Sequence, residues 1–150
     1  MVALPRPEAV VRVLVLWALS GEKERIEAAR MYFIDNMSPS DIAAKVGASK
    51  NVVNGWLGRL KSENGNSLGL DAVLRSCYNR VMEVPSILVL RPEGYSCVVC
   101  KRKRLERTAY HILWRHRELL EEHTAKVIEN CLKKNRSSSA RRSQTRPDPA

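Results

Sequence analysis

Apolar positions recur every three to four residues along most of this chain, and one short stretch, Ser86 to Leu90, replaces that spacing with a β-branched run. After Pro5 and Pro7, the residues Val10, Val13, Leu14 and Trp17 lie on a helical stripe, although the valine density also permits a buried strand. Ser20-Gly21 separates this segment from Glu22 to Asp35, where Ile26, Ala29, Phe33 and Ile34 share an inward face. Leu70 to Glu83 reads as a further helix closed by Pro85. Ser86 to Leu90 and Tyr95 to Val99 flank the turn Arg91-Pro92-Glu93-Gly94, which predicts a small hairpin. From Arg104 to Lys134 neither glycine nor proline intervenes, and Ala109, Leu113, Leu120, Val127 and Cys131 follow the stripe of a long helix. The expected fold is mainly α, with one small β-hairpin.

The densest signal is Met37 to Lys61, MSPSDIAAKVGASKNVVNGWLGRLK. Ser38 can cap a helix with Pro39 at its first position and Asp41 at its third, while Met37 and Ile42 stand where a hydrophobic staple closes. Gly47 can supply the left-handed exit, and Ser49 caps the next helix. Val53, Trp56, Leu57 and Leu60 form its buried stripe, so Lys50, Asn51, Asn54, Gly55 and Gly58 look outward. Each internal glycine costs about 1 kcal/mol relative to alanine, a penalty that close approach to another surface explains. Lys50 opposes the positive end of the helix dipole unless a phosphate compensates, and Asn51 and Asn54 carry paired donors and acceptors suited to adenine edges. The stretch resembles a helix-turn-helix of the homeodomain-like, sigma-region-4 or phage-terminase-small-subunit kind, with SKNVVNGWLGRLK similar to the recognition helix. That resemblance implies double-stranded DNA as partner, with Ser49, Lys50, Asn51 and Asn54 reading or positioning.

The composition agrees with a polyanionic partner: Lys and Arg number 26 against 16 Asp and Glu, for a net charge of +10. The charge is uneven. Residues 1–66 carry nine basic against seven acidic side chains, whereas residues 91–135 carry eleven against six. Aromatic residues are 5% of the chain, so the core must be aliphatic and small units need extra fastening. The expected organisation is a helical helix-turn-helix domain at 1–66, a helix, hairpin and long helix at 67–135, and a disordered basic tail at 136–150. No apolar run reaches membrane-spanning length. Val13 to Leu19, with Arg6 ahead of it, loosely imitates a secretory signal but is short and reads as core.

Cys97 and Cys100 form a C-x2-C pair on the hairpin, and His111 and His116 follow, giving C-x2-C-x10-H-x4-H. This resembles a C2H2 zinc finger, closer to the Ros-type spacing, and Tyr95 also matches that family. The resemblance implies a structural zinc. Arg104 stands where the family places a core phenylalanine, leaving Leu105 as substitute. Histidines five apart on a regular helix point about 140° from each other, so both reach one ion only if the turn between Tyr110 and Arg117 tightens or bulges. His123 lies roughly 10 Å along the axis from His116, too far to share a metal. Cys77 or Cys131 could complete the site instead, or, in a hyperthermophile's protein, join each other in a disulfide. Lys101, Arg102, Lys103 and Arg104, placed at the start of the long helix, would clamp phosphate.

The expected function is therefore sequence-specific DNA binding inside the cell, as a transcription regulator, with homodimer formation open through the long helix. The alternative is a DNA-processing protein: a recombinase accessory factor, a nuclease or a terminase-like packaging subunit. Against an enzyme, Glu118, Glu121 and Glu122 fall on a solvated helix face and form no acidic pair beside the histidines.

Overall fold

The computed structural model of the chain describes residues 6–65 and 69–133, so the tail expected at 136–150 lies outside the described residues. Helix α1 (Pro7–Leu19) starts with proline in its first turn, and Val10, Val11 and every residue from Val13 to Leu19 are buried. A helix apolar all round needs neighbours on every side. It has them, in α2 (Lys23–Phe33), α4 (Lys50–Asn64), α5 (Leu70–Met82), α6 (Thr108–Arg115) and α7 (Arg117–Ile128). The valine-rich segment is thus the central helix rather than a strand. Arg12, its only basic residue, pairs with Glu121 of α7 at 2.6 Å.

α2 is shared between two hydrophobic clusters. Ile26 and Ala29 enter the large one with α1, α5, the hairpin and the C-terminal helices. Ala28 enters a smaller one with Ile42 and Ala43 of α3 (Pro39–Val46) and Val53 and Leu57 of α4. The large core draws on both sides of the expected division at residue 66. Helix α4 runs to Asn64, almost to that division.

Strands β1 (Leu88–Arg91) and β2 (Gly94–Cys97) pair antiparallel, with Leu88 opposite Cys97 and Arg91 opposite Gly94. The hairpin docks on the end of α1, where Ile87 N–H donates to Leu19 O at 2.9 Å and Ser86 Oγ donates to Ala18 O at 2.8 Å. Gly21 makes that docking possible: its φ is +76°, and a Cβ there would lie 2.7 Å from the Leu88 carbonyl oxygen.

The single long helix expected from Arg104 to Lys134 is instead α6 and α7, divided at His116, followed by a π turn at Glu129–Lys133. Cys131 in that turn is disulfide-bonded to Cys77 of α5, with Cα atoms 5.3 Å apart, which ties the C-terminal end to the core. No helix among the described residues is long and apolar enough to cross a membrane.

Candidate functional site

The metal-ligand candidates sit where the hairpin meets the α6–α7 joint. Cys97 closes β2 and is buried. After it the chain reverses tightly: Lys101 N–H donates to Cys97 O at 3.0 Å, and Cys97 N–H donates to Arg102 O at 2.8 Å. Lys101 and Arg104 adopt left-handed φ values of +66° and +58°. The second of these turns the Arg104 side chain outward and lets Leu105 pair with Tyr95 through two backbone hydrogen bonds of 3.1 and 2.9 Å. Leu105 packs against the core, so it fills the place that Arg104 cannot.

His116 is both the end of α6 and the start of α7, and its φ and ψ of −127° and 35° are not helical. That break brings the two histidines together. Their ring centroids are 5.0 Å apart; Cys97 Sγ lies 3.4 Å from His116 Nε2, and Cys100 Sγ lies 3.5 Å from His111 Nε2. All four ligand atoms fall within 4.8 Å of one another, close enough to hold a metal ion. The geometry the sequence required is thus supplied by a break in the helix. The π turn lies further on, at Glu129–Lys133.

Burial lowers the pKa of both histidines; His116 and Arg102 add to the effect at His111. Both rings are therefore held in the neutral form that binds metal. Cys77 and Cys131 are spent on each other, and His123 lines a separate groove with Arg80, Glu83 and Lys126.

The helical pair 37–61 forms as its caps dictate. Ser38 Oγ accepts from Asp41 N–H and Ser49 Oγ from Val52 N–H, both at 3.1 Å, and Gly47 adopts φ +73°. Lys50, Asn51 and Asn54 are exposed, and nothing lies within 4 Å of a Cβ built at Gly55 or Gly58. Val52, which the stripe did not single out, is 46% exposed beside them.

Lys101, Arg102, Lys103 and Arg104 are exposed as well, but they lie in the loop before α6, which starts at Thr108. They therefore do not oppose the dipole of that helix.

A polar node that no local pattern announced links α6 to α4 through the start of α2. Thr108 Oγ1 donates to the buried Glu22 carboxylate at 2.9 Å, Arg25 pairs with Glu22 at 3.3 Å, and the Arg25 guanidinium lies 5.4 Å from the Trp56 ring centroid. Arg25 Nε is buried with no hydrogen-bond partner among the described residues. Tyr95 borders the node: burial raises its pKa first, then the carboxylates of Glu22 and Glu24, against an opposing influence from Arg25.

Neither a family model, nor a curated protein, nor a solved structure matches this chain.

Proposed function

We propose that this protein binds double-stranded DNA sequence-specifically as a transcription regulator, inserting α4 into the major groove. The observation that carries this reading is the outward face of α4: Lys50, Asn51 and Asn54 are exposed together, and the two glycines beside them face open space. Nothing among the described residues accounts for glycine at those positions, whereas a partner's backbone approaching the helix does. Asn51 and Asn54 offer the bidentate amides that pair with adenine, and Ser49, exposed at the helix start, would make a positioning contact. Lys101, Arg102, Lys103 and Arg104 supply backbone contacts without sequence preference. The chain itself performs no chemistry in this reading.

The metal in this reading is zinc, in a structural role. Zinc–sulfur bonds of about 2.3 Å and zinc–nitrogen bonds of about 2.0 to 2.1 Å at tetrahedral angles separate a thiolate from an imidazole nitrogen by about 3.5 Å. The two sulfur–nitrogen distances are 3.4 and 3.5 Å. Two thiolates and two imidazoles favour zinc over the oxygen-seeking cations and fill a closed tetrahedron, leaving no position for substrate. The site then fastens a hairpin too small to hold itself.

Selection of duplexes from a random pool by the purified, metal-loaded protein tests the reading. A shared motif is the expected result. Recovery of unrelated sequences, or of none above background, would remove the regulator assignment.

A further inference from the structure

α6 buries Thr108, His111 and Ile112 and turns Tyr110 and Trp114 to the opposite side. Trp114 is 72% exposed and Tyr110 53% exposed, a turn apart, with ring centroids at 5.6 Å and planes inclined at 38°. Leaving two large aromatic side chains in water forgoes burial of about 150 to 250 Å² each, so a surface that covers them would gain considerably. The helix that carries them is anchored beneath by His111 and ends at His116. The rings are thus presented on a supported element instead of a loose loop.

The charge around them selects the partner. From Lys101 to Arg117 the chain bears seven basic side chains, all exposed, and one acidic one, Glu106. Glu118, Glu121 and Glu122 line the groove beside Trp114 together with Arg115, Arg117 and Val99, so these carboxylates would keep an anionic strand off the α7 side of that groove. A partner that is polyanionic and also offers flat apolar faces is a nucleic acid with unpaired bases. In a duplex those faces are already stacked on one another. Two inclined rings suit two successive bases that have left such a stack.

We propose that Tyr110 and Trp114 are a base-stacking platform for single-stranded DNA, distinct from the α4 face and independent of whether that face reads duplex DNA. Exposed arginines on both sides, Arg107 and Arg115, would track the strand's phosphates.

Titration of the full-length, metal-loaded protein with oligothymidylate, followed by tryptophan fluorescence, tests this directly. Trp17 is buried and Trp56 partly buried, so quenching by a stacked base reports on Trp114. Saturable quenching is expected, and Trp114→Ala should abolish it and weaken binding roughly 5- to 150-fold, the equivalent of about 1 to 3 kcal/mol per stacked base. Trp114→Phe should keep most of the affinity, and neither change should alter duplex binding, metal content or helicity. Absence of saturable quenching in the unaltered protein, an unchanged affinity in Trp114→Ala, or an equal loss on duplex would overturn the platform. So would quenching that depends on protein concentration alone, which would make a second copy the occupant. Failure on oligothymidylate with a duplex motif still selected separates this inference from the reading of α4.

Discussion

Thr108 and Glu22 are 86 residues apart in sequence, and the threonine hydroxyl donates a 2.9 Å hydrogen bond to the buried carboxylate. Thr108 opens α6, which carries His111, and Glu22 precedes α2 and pairs with Arg25, whose guanidinium lies over Trp56 of α4. Thr108→Val keeps the shape and removes the donor, leaving Glu22 with one partner fewer. A loss of about 1.5 to 3 kcal/mol is expected, the range for hydrogen bonds to charged groups. Thr108→Ser should retain most of it. Urea unfolding of the three proteins decides the matter, and a valine variant as stable as the serine one would show that the bond contributes nothing.

The metal cluster makes a sharper demand. Native-purified protein should contain about one zinc per chain, and Cys97→Ser or Cys100→Ser should lose both the metal and thermal stability. His111→Ala and His116→Ala should behave alike, because each imidazole faces its own thiol at nearly the same distance. His123→Ala should keep its metal. Elemental analysis with thiol titration checks all five, and a metal-free native protein with two free thiols would end the proposal.

The Cys77–Cys131 disulfide closes a loop of 54 residues' separation. The chain-entropy treatment gives about 4 kcal/mol for a loop of this size, and double replacement by alanine should therefore lower stability by roughly 2 to 4 kcal/mol. Denaturation midpoints with and without reductant measure it. The zinc content of the alanine variant should not change, since neither sulfur is near the cluster's ligand set.

The two basic or polar surfaces should separate on DNA. Neutralising Lys101, Arg102, Lys103 and Arg104 should weaken binding to every duplex and flatten its salt dependence. Asn51→Ala or Asn54→Ala should relax base preference, at about 1 to 3 kcal/mol for a lost bidentate contact. Competition between a selected and a scrambled duplex at fixed salt distinguishes them. Equal losses on both from the asparagine changes would mean that α4 does not read bases.

The parts legible in the sequence were those fixed by near neighbours. Ser38, Ser49 and Gly47 determine their helix ends within four residues, and each cap is where its spacing placed it. The hairpin also followed from its turn, although β2 ends at Cys97 because Val98 and Val99 are taken up by the reversal. What stayed hidden depends on distant partners. His116 leaves the helix in a run with no glycine or proline to announce it, at the point where its ring meets Cys97, 19 residues earlier. Lys101 to Arg104 looked like the start of a helix because the pairing of Leu105 with Tyr95, which holds them in a loop, has no local signature. The strand-or-helix ambiguity of α1 could be decided only by the five helices that surround it.

α2 is a party wall. With Ala28 on one side and Ile26 and Ala29 on the other, it completes two hydrophobic interiors at once. Cutting the chain after α4 would strip one side of that wall and uncover the α1 side chains packed on α5, α6 and α7. Opening of the Cys77–Cys131 disulfide at the far end would reach α4 through this wall, because α2 packs against both α5 and α4.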